Sequence, residues 1–175
     1  MDPTDTHAPP RAETARQVTV LYQAHSLGLV RLAVIMLGDK GMAEDVVQEA
    51  FLGLFRRWPS LSDPDKALAY VRSSVLNGCR TILRQKSRRD AVVFAEPDTE
   101  SAEARVLVDE EHREVLAAIR RLPDRQREAV VLRFYLDMPE DIVADVMGIS
   151  RGTVKSATSR GVAAVGKLLR EGERS

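Results

Sequence analysis

Residues 139–162 read PEDIVADVMGISRGTVKSATSRGV, two helical patterns hinged on one glycine. Counting from Glu140, the fifth position is Ala144, small enough for two helices to cross on it. The ninth is Gly148, which takes the positive φ of a tight turn without steric penalty. Val143, Met147, Ile149, Val154 and Ala157 fall where apolar side chains pin the two helices together. Ser150 is placed to cap the second helix. The spacing predicts a helix-turn-helix. Its second helix carries Ser150, Arg151, Thr153, Lys155, Ser156, Ser159 and Arg160, a row of donors suited to phosphate oxygens and base edges in a major groove. An ordinary αα-hairpin with a solvated basic face is the plainer alternative from these residues alone.

Upstream of this motif the pattern stays helical. Val115, Leu116, Ile119 and Leu122 repeat at helical spacing, Pro123 and Asp124 interrupt it, and Ala129, Val130, Leu132, Phe134 and Tyr135 form another helix. Further upstream, helices are predicted over about 14–37 (ending at Gly38), 41–57 (ending at Pro59) and from near Pro64 into a basic run at 80–89. The helix at 41–57 has an apolar stripe of Val46, Val47, Ala50, Phe51, Leu54 and Phe55, with Glu44, Asp45, Gln48, Glu49 and Arg56 on another face. No convincing strand pattern is present. The expected architecture is all-α: two small helical units, 14–89 and 109–172, joined by a flexible acidic linker at 90–108 and preceded by a disordered tail at 1–13. The linker holds one apolar patch, Val92, Val93 and Phe94.

The net charge is zero, yet the signs come in blocks. Residues 80–89 hold five cationic side chains and no acid; residues 90–114 hold nine acids against two bases. Residues 150–175 hold six bases against two acids. Such alternation suits basic working surfaces joined by an acidic connector. The one cysteine, Cys79, excludes an internal disulfide and is expected to be packing in a cytoplasmic protein. The three histidines are far apart, so no metal site is expected. No apolar run of about 18 residues is found, so no membrane span is expected, and the first residues lack the pattern of a secretory signal. A helical enzyme is disfavoured, because no nucleophile–base pair, metal cluster or phosphate loop is in view. A helix-turn-helix repressor or activator accounts for residues 139–165 but leaves 41–89 without a role.

Four blocks in order carry a family resemblance. GMAEDVVQEAFLGLFRRW (41–58) resembles region 2.2 of the sigma-70 family of bacterial transcription initiation factors. AYVRSSVLNGCRTILRQKSRR (69–89) resembles regions 2.3 to 2.4, with Tyr70 where the family often has Trp. LAAIRRLPDRQREAVVLRFYLDM (116–138) resembles region 4.1, and GISRGTVKSATSRG resembles region 4.2. The chain is similar to the small extracytoplasmic-function type, which keeps only these two domains. It departs from the common pattern at Ala157, Thr158 and Gly161, where Arg, Leu and Ala are usual, and at Pro139. A promoter preference is therefore not carried over.

The resemblance implies a factor that binds core RNA polymerase, reads the −35 and −10 promoter elements and promotes melting, with no catalysis and no cofactor. It implies that Asp45, Gln48 and Glu49, flanked by Arg56, meet the coiled coil of the β′ clamp, and that the second unit meets the β flap. It implies −10 contacts by the loop SLSDPDK (60–66) and by Arg72, Asn77, Arg80, Arg84, Lys86, Arg88 and Arg89, and −35 contacts by the donors of the recognition helix. An anti-sigma factor is a further implied partner. Trp58 and Tyr70 are read either as base-stacking or as core side chains.

Overall fold

The computed structural model describes residues 10–61, 63–90 and 113–172. The acidic linker, its Val92, Val93 and Phe94 patch, and residues 1–9 lie outside the described residues. Among the described residues there is no strand. The helices are α1 (Pro10–Leu37), α2 (Lys40–Arg57), α3 (Ala67–Asp90), α4 (Arg113–Arg120), α5 (Asp124–Val130), α6 (Glu140–Met147) and α7 (Arg151–Gly172). Short 3₁₀ turns at Trp58–Ser60 and Pro64–Lys66 join α2 to α3, and a π turn, Val131–Tyr135, extends α5.

α1 begins four residues before the expected start at residue 14. Proline is tolerated in a first helical turn, where its missing N–H has no intrahelical partner to lose. α1 also corrects an expectation drawn from run length. By length and composition, Arg11–Leu37 qualifies for a membrane span. Uncharged polar residues such as Thr19, Gln23 and Ser26 break the apolar run without adding charge. Here the C-terminal half of α1 is core: Leu29 and Leu32 through Leu37 are all buried.

α2 forms as its stripe dictates. The Asp39 carboxylate accepts from the Met42 N–H at 2.7 Å and caps the helix. Ala43, Val46, Val47, Ala50, Phe51 and Leu54 are buried, while Phe55 is half-buried. α1, α2 and α3 pack together, with Val71, Val75, Leu76 and Cys79 of α3 at 0–1% exposure. Trp58 and Tyr70 pack against this core, half-buried, which favours the packing side of the two readings.

In the second group, α6 and α7 cross where expected. Val143, Ala144, Met147, Val154 and Ala157 are buried. Gly148 sits at φ 65°, and its N–H and that of Ile149 return to the carbonyl of Ala144. Ser150 Oγ accepts from the Thr153 N–H at 3.1 Å. Gly161 has a reason that helix propensity does not give. A Cβ there would lie 2.6 Å from Val130 Cγ2 and 3.3 Å from the Gln126 carbonyl oxygen. α7 therefore lies on α5 at a distance that only glycine permits.

The two helical groups share one continuous hydrophobic core. Polar bonds cross the junction as well. Arg127 Nη1 donates to the Met36 carbonyl at 3.3 Å, Ser73 Oγ donates to the Val146 carbonyl at 3.4 Å, and Arg80 meets Glu128. Arg127 is buried, which pulls its guanidinium below its ordinary value, opposed by the carboxylates of Asp124 and Glu128.

Gly161→Ala tests the close approach. Alanine gains about 1 kcal/mol of helix propensity, but overpacking against Val130 and a backbone carbonyl costs about 1–3 kcal/mol. Urea unfolding followed by circular dichroism is expected to show net destabilisation. Adding Val130→Ala is expected to recover part of it.

Candidate nucleic-acid and partner interfaces

The helix-turn-helix produces the row of donors its sequence implied. α7 is held by Val154, Ala157 and Gly161 on its buried side, which leaves its other side to face outward. Arg151, Thr153, Lys155, Ser159 and Arg160 are exposed, as is Ser150 at the cap; Ser156 is half-buried. Ser156 Oγ donates to the Thr153 carbonyl at 3.0 Å, and Arg160 Nε donates to the Ser156 carbonyl at 3.2 Å. Arg160 is thereby drawn along its own helix, one turn beyond Lys155.

The acidic face of α2 is also brought together. Asp45, Gln48, Glu49 and Arg56 are all exposed. Arg56 Nη1 donates to Glu49 Oε1 at 3.1 Å, a surface pair worth at most about 1 kcal/mol. The sequence reading missed Leu52, which lies on the same face and is 49% exposed. Beside it Tyr22 is 40% exposed, stacked edge-on to Phe51 with ring centroids 5.0 Å apart. Ala15, Val18, Tyr22, Gln48, Leu52 and Phe55 line a groove of about 430 Å³ between α1 and α2. The signal was present in the sequence: Leu52 is seven residues after Asp45, two turns along one face.

The basic residues of α3 do not behave as one set. Asn77, Arg84 and Arg88 are exposed, and Arg84 Nε donates to the Arg80 carbonyl at 3.2 Å. Lys86 is half-buried; the side chain of Arg89 lies outside those described. Arg72 is half-buried, and burial pulls its guanidinium below the ordinary value. Arg80 departs most from expectation. Its side chain is 17% exposed, and its Nε and Nη2 each donate at 2.6 Å to the two carboxylate oxygens of Glu128, which is 1% exposed. Arg80 Nη1 donates to Asn77 Oδ1 at 2.8 Å. The hydrogen bonds to Glu128 raise the Arg80 guanidinium further above its ordinary value. Glu128 was not among the residues the sequence singled out. Its place in α5 gives no sign of burial, because the element that covers it belongs to the other half of the chain.

Cys79 is buried beside this pair. Its thiol is pushed up to about 12, first by burial and then by the Glu128 charge. No group of three or more His, Cys, Asp or Glu side chains fit to hold a metal ion occurs among the described residues.

Comparison with known proteins agrees with this division. Residues 21–89 match the family description Sigma-70 region 2, and residues 112–165 match Sigma-70, region 4. The chain is 30% identical over 161 residues to the RNA polymerase sigma-H factor of Pseudomonas aeruginosa, covering 85% of this chain and 82% of that protein. It is 30% identical over 153 residues to the probable ECF RNA polymerase sigma factor SigI of Mycobacterium tuberculosis, covering 82% of this chain and 52% of that protein. It spans only 36% of the length of a probable sigma factor of Xanthomonas campestris. Among solved structures, the sigma factor RpoE bound to the anti-sigma factor NepR, from Bartonella quintana, shares the fold. The TM-score is 0.69 and the identity 21%, over 90% of this chain and 97% of that one.

The Cys79 environment generates a pH-dependent expectation. The folded protein holds the thiol proton more tightly than the unfolded chain, whose value is near 9.0. This contribution is intact below pH 9 and declines as pH climbs toward 12, by at most about tenfold in the folding constant per pH unit. Between pH 9 and 12, Cys79→Ala is expected to lose stability less steeply than the wild type in urea titrations. At pH 8 the native thiol is expected to resist Ellman's reagent until the chain is unfolded.

Proposed function

Because the chain belongs to the sigma-70 family of RNA polymerase sigma factors, and to its extracytoplasmic-function type, we propose that it binds core RNA polymerase, carries it to promoters by reading −35 and −10 elements, and promotes strand opening. The observation that carries this reading is the exposed donor row on α7, anchored by a buried helix-turn-helix. It is accompanied by an acidic partner face on α2 in the other matched region. A duplex-only regulator has no use for that second face.

In this reading Asp45, Gln48 and Glu49, with Leu52 among them, dock on the coiled coil of the β′ clamp. Charge complementarity steers the encounter and the exposed leucine supplies apolar burial. Arg72, Asn77, Arg80, Arg84, Lys86, Arg88 and Arg89 track the −10 strand, with bases captured outside the stack as opening requires. Arg151, Lys155, Ser156 and Ser159 reach base edges of the −35 duplex, while Arg160 meets phosphate. Ser150 and Thr153, at the start of α7, add phosphate contacts. The second unit engages the β flap, with Phe134 at 61% and Tyr135 at 43% exposure as apolar contacts. An anti-sigma factor is a fitting regulator for the same surfaces. The chain acts in the bacterial cytoplasm with polymerase, contributing recognition and no catalysis of its own.

Two substitutions test the polymerase face. Asp45→Arg with Glu49→Arg turns attraction into repulsion and is expected to weaken core binding by several kcal/mol, measured by fluorescence titration of labelled core enzyme. Folding is expected to persist, since the buried stripe of α2 is untouched. Unchanged affinity in a folded variant removes the assignment.

The −35 reader is tested by transcription from a randomised promoter library. Lys155→Ala is expected to flatten the preference at one or two upstream base pairs, by about 1–3 kcal/mol of discrimination. Arg160→Ala is expected to lower transcription from all promoters alike and reduce the salt slope by about one unit. A shift confined to the downstream element in Lys155→Ala overturns the assignment.

A further inference from the structure

The match to sigma-70 region 2 begins at residue 21, so residues 10–20 precede it. They form the first turns of α1 and lie against the end of α2. Thr14 is buried, Val18 packs on the core, and the Arg11 guanidinium stands 6.0 Å from the centre of the Phe55 ring. Tyr22 meets Phe51 edge-on. Between these contacts lies the groove of about 430 Å³, with Ala15, Val18 and Tyr22 on its α1 wall and Leu52 and Phe55 on its α2 wall. The α1 wall turns Leu52 from a lone exposed side chain into one side of a pocket. The groove spans the stretch of α2 from Gln48 to Phe55. Asp45 and Glu49 are exposed at one end of it, and Arg11 stands over Phe55 at the other. An apolar opening continuous with a charged face suits one large apolar side chain arriving on a partner.

We infer that the first turns of α1 complete a socket on the polymerase face of α2, and that its occupant is one large apolar side chain on the core polymerase helix that α2 meets. This rests on the reading of the α2 face as the core-binding surface. On that helix the apolar side chain lies between cations, which meet Asp45 and Glu49, and an acid, which meets Arg11. The charges steer and orient the encounter. The seated side chain is shielded from water by both walls and holds the complex, so its loss appears in the dissociation rate.

The test is surface plasmon resonance of the full chain on immobilised core polymerase, with association and dissociation read separately. Ala15→Tyr fills the groove from an exposed position, adds no charge and removes no buried side chain. It is expected to weaken binding about tenfold through faster dissociation, with the salt dependence of association unchanged. Ala24→Tyr makes the same exchange at an exposed position about two and a half turns on, on the opposite side of α1. It is expected to bind as the wild type does. If Ala15→Tyr binds like the wild type while Asp45→Arg with Glu49→Arg binds weakly, the socket is overturned and the charged face stands. If the charge reversal also changes nothing, the reading beneath the socket falls with it. Equal losses in Ala15→Tyr and Ala24→Tyr overturn the socket too, since the effect then does not belong to the groove. Sedimentation velocity examines a second copy as occupant: self-association of the free chain that Ala15→Tyr abolishes gives the groove to this chain and overturns the polymerase contact. Should Ala15→Tyr lose helicity, Thr19→Tyr, exposed on the same wall, takes its place.

Discussion

A guanidinium and a carboxylate buried between two helical groups set the terms for much of this molecule. Taking Glu128 out of water is unfavourable unless its charge is met with good geometry, and Arg80 meets it with two bonds of 2.6 Å. That demand fixes where α3 runs relative to α5. It places Cys79 against a negative charge and it ties Asn77 to Arg80. Hydrophobic contact alone is tolerant of sliding; a forked ion pair is not, because a shift of an ångström breaks one of its bonds. The continuous apolar core supplies the attraction between the halves, and the pair supplies their register.

The helices of the two groups present their polar side chains differently. α7 carries its donors on a helix whose other side is nailed down by Val154, Ala157 and Gly161, so the side chains project from a rigid base. α2 does the same for its acidic face, with six buried residues beneath it. α3 is the exception. Its polar side chains are divided between solvent, their own helix and the other half of the chain. The donor row of α7 and the acidic face of α2 thus project from rigid bases, whereas part of the polar surface of α3 is engaged within the protein.

What the sequence could say depended on whether the cause was local. Ala144, Gly148 and Ser150 were readable because crossing distance, positive φ and capping are decided within a few residues. The α2 stripe was readable because its period is its burial. Leu52 was readable in principle and overlooked, an apolar residue on a face noticed only for its charge. Glu128, Arg127 and Gly161 were not readable. Each owes its environment to a segment far along the chain, and a lone glutamate in a helix looks the same whether water or Arg80 covers it. The start of α1 was not readable because residues 10–13 offer few apolar anchors, although a first turn accommodates Pro10. Run length likewise hid how apolar α1 is once small uncharged residues are admitted.

The contact of Gly161 with Val130 also fixes an angle. Each residue of an α-helix advances the azimuth by about 100°. With α7 clamped at Gly161 and at its capped start, the rotational phase of Arg151, Lys155 and Ser159 about the helix axis is locked to the body of the protein. One residue inserted between the clamp and these side chains swings them through more than a quarter of a circle, into the protein or away from any groove. The outward positions of the segment 151–160 therefore tolerate exchange of side chains, while its buried anchors and its length are fixed.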